Sequence, residues 1–315
     1  MSAKKITVVG AGHVGATCSQ LLSHKELAKE VVLVDIADGI PQGKGLDQWE
    51  SAPIEGFDSR VFGASDYESS VGSDIFIVTA GIARKPGMSR DDLLKTNANV
   101  IRSVSREIAR VAPDSIIIMV TNPLDVMAQV SMEASGFPRE RVIGMPGVLD
   151  TARYRSFIAL ELDVSIEDIQ ALVLGGHGDT MVPLASYTSV SGIPLSQFLE
   201  QDRIDALVDR TRKGGGEIVS YLKTGSAYYA PAAAAVQMAE AIVKDKRRIL
   251  PCAAWLQGEY GFNDLYLGVP CMLGANGLER IVEVELEESE RAALETSAEH
   301  VRSTVESLKA MEASA

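Results

Sequence analysis

The chain has 315 residues, 46% of them hydrophobic, and its 30 basic and 43 acidic side chains give a net charge of −13. That length exceeds one ordinary core and predicts two domains, while the negative field would repel a phosphate backbone and argues against a nucleic-acid partner. The charge-free run 224–239 holds Pro231 and several polar groups, so it does not meet the criterion of about 20 apolar residues for a membrane span. Lys4 and Lys5 precede an apolar run too short for a secretory signal. Cys18, Cys252 and Cys271 are widely spaced with no C-x-x-C pair, as expected of a cytoplasmic protein.

Residues 6–9 (ITVV), 31–34 (VVLV), 75–78 (IFIV) and 115–121 (SIIIMVT) are β-branched, continuously apolar runs that predict strands covered on both faces. Between them, helical patterning covers 40–52, with Pro41 in a first-turn position. It also covers 89–111, opened by Ser89 with Asp91 and Asp92 behind it. Strands alternating with helices predict a parallel, doubly wound sheet. After GMPG at 144–147 the texture changes. A helix is expected from Leu149 to about Leu162, a strand over 169–176, two long helical stretches around 202–244, strands near 247–256, 265–273 and 278–286, and a terminal helix from about 287 to 310. The fold class is α/β: a Rossmann-type sheet domain over 1–147, followed by an α+β catalytic domain over 148–315.

ITVVGAGHVGATCSQLL carries G-x-G-x-x-G at Gly10, Gly12 and Gly15, directly after a strand and before a helix. Gly10 allows the tight turn, Gly12 removes a side chain from the pyrophosphate path, and Gly15 lets strand and helix pack closely. Asp35 closes the second strand 20 residues after Gly15, where an acid reaches the ribose hydroxyls of NAD and repels the 2′-phosphate of NADP. The loop Gly10, Ala11, Gly12, His13, Val14, Gly15 and Asp35 are therefore expected to bind NAD. The His13 side chain reads as solvent-facing filler, as do His24 and His300.

VLGGHGDT places His177 in a glycine-rich turn after an apolar strand, and GVLDTARYR puts Asp150 and Arg153 on one face of a helical turn. MVTNPLD offers Asn122 at the carboxyl end of a strand, where ligands gather in open parallel sheets. By position alone His177 reads equally as a satisfied structural histidine. The spacing of Asp150 and Arg153 also fits a solvated pair contributing under about 1 kcal/mol.

GAGHVG with Asp35, TAGIARKPGMSR, VTNPLD, GVLDTARYR and GGHGD stand in the order and spacing of the lactate/malate dehydrogenase family, and the whole chain resembles it, most closely its lactate-dehydrogenase-like malate dehydrogenases. The resemblance implies that His177 is the proton acceptor with Asp150 as its partner, and that Arg84, Arg90, Asn122 and Arg153 hold substrate. Val120, Thr121 and Asn122 would contact the cofactor, together with Asn97 in KTNANV. It implies a reversible, NAD-dependent oxidation of (S)-malate to oxaloacetate, a place in the tricarboxylic acid cycle, and a homodimer or homotetramer with the helix holding GLDQWESA near the subunit contact. No metal-ligand spacing is present, and no metal is expected.

Arg84 stands where the lactate enzymes place a glutamine. Within TAGIARKPGMSR, Gly81, Pro86 and Gly87 predict a lid that closes over substrate. A dicarboxylate gives Arg84 a partner; with pyruvate the closed lid would bury an unpaired guanidinium, costing roughly 2 to 5 kcal/mol. Three other readings stay open at this point: Arg84 and Lys85 as solvated loop charges, a lactate or other 2-hydroxyacid dehydrogenase, and a non-catalytic NAD-binding protein. The last stretch, 283–315, carries nine glutamates against three basic residues, which fits a solvated helix face or a salt-rich habitat.

Overall fold

The computed structural model describes residues 3–82 and 89–313. The first half alternates strand and helix: β1 (Ala3–Val9), α1 (His13–His24), β2 (Ala28–Val34), α2 (Ile40–Glu55), β3 (Arg60–Ala64), β4 (Ile75–Val78), α3 (Arg90–Val111), β5 (Ile116–Met119), α4 (Leu124–Ser135) and β6 (Val142–Gly144). The second half opens with α5 (Pro146–Leu162) and five two-residue strands, β7 (Ile169–Gln170), β8 (Val173–Leu174), β9 (Val182–Pro183), β10 (Ser189–Val190) and β11 (Ile193–Pro194). It continues with α6 (Gln201–Leu222), α7 (Tyr229–Val243), β12 (Arg248–Gln257), β13 (Asn263–Gly274), β14 (Gly277–Ile281) and α8 (Glu288–Ala313).

The main sheet runs β14-β13-β12-β6-β5-β4-β1-β2-β3, with β1 to β6 parallel and β12 to β14 antiparallel. The last three strands, which the sequence groups with the second half, extend the first half's sheet through Ala253 against Gly144. The apolar segment 169–176 is not one strand. It splits into β7 and β8, which join different small sheets, because Gln170 is exposed while Val173 and Leu174 are buried. Strand order reverses between β1 and β4, the place where such sheets open a crevice at their carboxyl ends.

Alternation along β4 shows why its run is continuously apolar. Ile75 and Ile77 pack with Cys18 and Leu22 of α1 and Ala235 of α7, whereas Phe76 and Val78 pack with Ala98 and Ile101 of α3 and Met127 of α4. Both faces are covered, as parallel strands require. A third cluster, Tyr154, Ile158, Ile169, Val173, Ile204 and Leu207, joins α5 and α6. α3 begins with a reciprocal cap: Ser89 Oγ accepts the Asp92 N–H at 3.0 Å, and Asp92 Oδ2 accepts the Ser89 N–H at 3.2 Å.

β3 and α2 touch through missing side chains, since a Cβ on Gly63 would overlap the Pro41 backbone. Gly63→Ala must push α2 off the sheet. It is expected to lower stability by about 1–3 kcal/mol, read as a shifted urea midpoint with an unchanged slope.

Candidate active site

The loops leaving β1, β2 and β4 enclose a cavity of about 310 Å3 lined by Gly10, Gly12, Asp35, Thr79 and Gly81. Gly10 adopts φ +103°, and a Cβ there would stand 2.7 Å from Thr79 Oγ1. On Gly15 it would overlap the Gly10 carbonyl oxygen, so helix and strand meet only through glycine. On Gly12 it would meet nothing within 4 Å: that face of the loop is open. α1 starts at His13 with no side-chain cap and no acid in its first turn, so its first N–H groups have no side-chain acceptor. An open glycine face and an uncapped helix end fit a pyrophosphate.

Asp35 lines this cavity and accepts the Ala11 N–H at 2.6 Å on Oδ2 and the Ala37 N–H at 3.0 Å on Oδ1. Lys44 Nζ donates to the Ala11 carbonyl at 2.6 Å, bringing a cation to the loop. His13 is not the free filler that its position suggests. Its ring, although exposed, stacks on Tyr228 with centroids 5.0 Å apart, fastening the loop to the segment before α7. Val14, one residue on, reaches a second cavity.

That second cavity, about 340 Å3, is lined by Val14, Val120, Asn122, Arg153, His177 and the α6 backbone at Gly215 and Gly216. It lies where the two halves meet. His177 follows β8 by way of Gly175 and Gly176; Gly175 holds φ +84° and bridges to Gly268 of β13, and a Cβ on it would press on Ser297. The His177 Nδ1 lies 2.9 Å from Asp150 Oδ2, and Asp150 Oδ1 accepts from Arg153 Nη1 at 3.1 Å. The side chains of Asp150 and Arg153 are 3% and 12% exposed, so this is no solvated surface pair. A Cβ on Gly215 would stand 3.6 Å from Arg153 Nη2; the glycine run in α6 makes room for the guanidinium.

An ionised Asp150 only accepts, which puts the ring proton on Nδ1 and leaves Nε2 as the basic atom. Burial pushes the His177 imidazole down, but Asp150, by charge and hydrogen bond, outweighs burial and the Arg153 cation, and the net shift is upward. Burial also pushes the carboxyl of neighbouring Asp125 up to about 6.

The structure gathers His177, Arg153, Asn122, Val120 and Val14 at one cavity, with Asp150 bonded behind His177 and Arg153, and Gly10, Gly12 and Asp35 at the other. Thr121 is buried, its Oγ1 donating to the Ala80 carbonyl at 2.7 Å. Asn97 is also buried: Nδ2 donates to the carbonyls of Ile82 and Asn122, at 3.2 and 2.8 Å, and Oδ1 accepts the Ile82 N–H. Its amide donors thus support the loops, leaving only Oδ1 for a further contact. Arg90 is exposed at the first position of α3 and does not line the His177 cavity among the described residues. Arg84 and the expected lid around it lie outside the described residues.

The sequence pattern described as "lactate/malate dehydrogenase, NAD binding domain" matches residues 4–144, and "lactate/malate dehydrogenase, alpha/beta C-terminal domain" matches 147–312. The chain belongs to the lactate/malate dehydrogenase family. Within that family it is 59% identical to a malate dehydrogenase of Chloroherpeton thalassium over 307 residues, 98% of this chain and 99% of the relative. A solved malate dehydrogenase from Salinibacter ruber superposes with a TM-score of 0.95 at 55% identity, covering 98% of this chain and 99% of that one. A Cryptosporidium parvum lactate dehydrogenase, solved with lactic acid and nicotinamide adenine dinucleotide, gives 0.94 at 43% identity, covering 98% and 99%.

Sequence reasoning missed Lys44, Asp125 and Arg212. Arg212 lines the His177 cavity and donates through Nε to the Met181 carbonyl at 3.1 Å. All three depend on contacts across more than 30 residues, which no local pattern reveals. In Asp150→Asn the imidazole loses its anionic neighbour and keeps the Arg153 cation, so its titration midpoint, followed by ring-proton NMR, is expected to move down.

Proposed function

We propose that this chain is an NAD-dependent malate dehydrogenase that interconverts (S)-malate and oxaloacetate with His177 as the acid/base. The observation that carries the reading is the shared carboxylate: Asp150 orients a basic imidazole on one oxygen and an anion-binding guanidinium on the other, at 2.9 and 3.1 Å. A module that only bound NAD would have no use for a proton acceptor beside a carboxylate clamp. Relatives named malate dehydrogenase, 56–60% identical over nearly the whole chain, support the substrate. The lactate dehydrogenase neighbours, 39–43% identical with TM-scores of 0.90–0.95, favour a 2-hydroxy acid but stand further away.

NAD, when bound, supplies the hydride chemistry; the chain supplies aim, charge and a proton path. Gly10, Ala11, Gly12, His13, Val14 and Gly15 present backbone to the pyrophosphate, and Asp35 takes the ribose hydroxyls. Val120, Thr121, Asn122 and Asn97 form the wall leading to the His177 cavity. His177 Nε2 removes the hydroxyl proton of malate, and Asp150 stabilises the imidazolium that forms. In reduction the same imidazolium returns the proton to the carbonyl oxygen. Arg153 presents its planar fork to the carboxylate beside the reacting carbon. Asn122 lies at the carbonyl end, and Arg90, which stands outside the cavity here, would have to move in to join it in meeting negative charge on the oxygen. Arg84 takes the distal carboxylate, and closing over it would exclude water from the cavity. The domain division we propose is 1–147 for NAD and 148–315 for substrate.

We further propose a homo-oligomer. α2 presents Leu46 and Trp49, 56% and 39% exposed, three residues apart on one face, with Ile54 at 85% near its end. Such an apolar stripe suits a second copy. No helix among the described residues is long and apolar enough to cross a membrane. Cys18, Cys252 and Cys271 are buried and unbridged, which fits a cytoplasmic setting.

A ketoacid panel with NADH and NADPH tests substrate and cofactor together. Oxaloacetate is expected to exceed pyruvate by at least about a hundredfold in kcat/KM, with NADH preferred; equal turnover of both acids would end the reading. Arg84→Gln is expected to raise pyruvate use relative to oxaloacetate, and an unchanged ratio in steady-state assays would remove Arg84 from the substrate site.

A further inference from the structure

The turn that carries His177 is fixed at three points from three helices. Asp150 of α5 holds the ring, Ser297 Oγ of α8 accepts the Gly176 N–H at 2.8 Å, and Asp125 of α4 holds the peptide. Asp125 has no part in the roles above. It lies in the first turn of α4, three residues beyond Asn122, and is 6% exposed. Its Oδ2 accepts the His177 N–H at 2.9 Å, while Oδ1 is buried with no hydrogen-bond partner among the described residues. Burying a carboxyl group with half its acceptor capacity unused is costly. An acid that merely complemented the positive end of α4 would do so from an exposed position. What burial gives Asp125 is reach across the junction of the two halves. Gly176 keeps that junction narrow, since a Cβ there would stand 3.5 Å from Asp125 Oδ2 and 2.7 Å from Val301 Cγ2.

We propose that Asp125 is a positioning residue for the proton transfer: by holding the His177 peptide from the segment that presents Asn122, it sets the acid/base in register with the substrate. This rests on the reading of His177 as the acid/base. Asp125 acts through His177 and touches neither substrate nor cofactor. Its charge bears on the ring as well. Burial raises the Asp125 carboxyl, the His177 N–H and ring oppose that rise, and Asp150 adds to it. Asp125 and Asp150 both favour the protonated imidazole, and Arg153 disfavours it. The α8 side chains at this turn, Ser297 and Val301, carry no charge.

The test compares Asp125→Ala, Asp125→Asn and His177→Asn in the full-length enzyme, with NADH fluorescence counting competent sites. His177→Asn is expected to bind NADH and lose turnover; if it turned over normally, the acid/base reading itself would fall. Asp125→Ala is expected to lower kcat per competent site about tenfold or more. Asp125→Asn keeps shape and an acceptor oxygen but loses the charge. The acid limb of malate oxidation, where His177 must be unprotonated, should therefore move to lower pH. The high-pH fall of oxaloacetate reduction should move down with it. An inactive His177→Asn beside an Asp125→Asn whose limbs and kcat match the parent would overturn the proposal. Should Asp125→Ala fail to fold, Asp125→Asn decides alone.

Discussion

Two cationic or protonatable groups lean on one buried carboxylate, and the site's geometry descends from that arrangement. Asp150 is 3% exposed in its side chain and uses one oxygen on His177 and the other on Arg153. A carboxylate so far from water is costly without close partners, and Asp150 has one on each oxygen. The requirement runs in three directions. α5 must begin immediately after β6 so that Asp150 arrives at the sheet's end. The β8 turn must come down onto α5, and Arg153 must lie one helical turn further on. Orientation of the imidazole and of the guanidinium is thus a single constraint.

The nine-stranded sheet explains why that constraint is met at the crevice. Parallel strands β1 to β6 bring the glycine loop, Asp35 and Asn122 to one edge, because every strand of a parallel set ends on the same side. The antiparallel extension through β12 and β13 then carries the second half back against the first. Gly175 pairs with Gly268 of β13, so the His177 turn is anchored to the very sheet whose other end holds the cofactor loop. The basic groups of the cleft, Arg153 and Arg212, sit in a chain of net charge −13. Attraction of a small diacid is consequently local to the cavity, since the protein as a whole repels anions.

Much of this is written locally in the chain. The β-branched runs within 6–9, 31–34, 75–78 and 115–121 form strands because no charge interrupts a face that must be covered twice. Ser89 caps α3 because its hydroxyl finds the Asp92 N–H three residues on. G-x-G-x-x-G and Asp35 are legible for the same reason: each acts within a single strand-turn-helix unit. β3 carries a weaker signal, being an edge strand of five residues that contains Arg60 and Gly63. β6, only three residues long, offers no periodicity at all. The stacking of His13 on Tyr228, the Lys44 contact with Ala11 and the Asp125 grip on His177 join residues 215, 33 and 52 positions apart. Such contacts are products of the fold, and nothing in the neighbouring letters announces them.

Ser297 belongs to the last helix, yet it binds the peptide immediately before His177, 121 residues earlier. On the ribosome, a nascent chain can complete its nucleotide-binding half while that clasp is still inside the exit tunnel. The His177 turn therefore gains this clasp only once residue 297 has left the tunnel. Loss of the terminal helix would remove that clasp and would also take Leu294, Ala298, Val301 and Leu308 out of the two main cores.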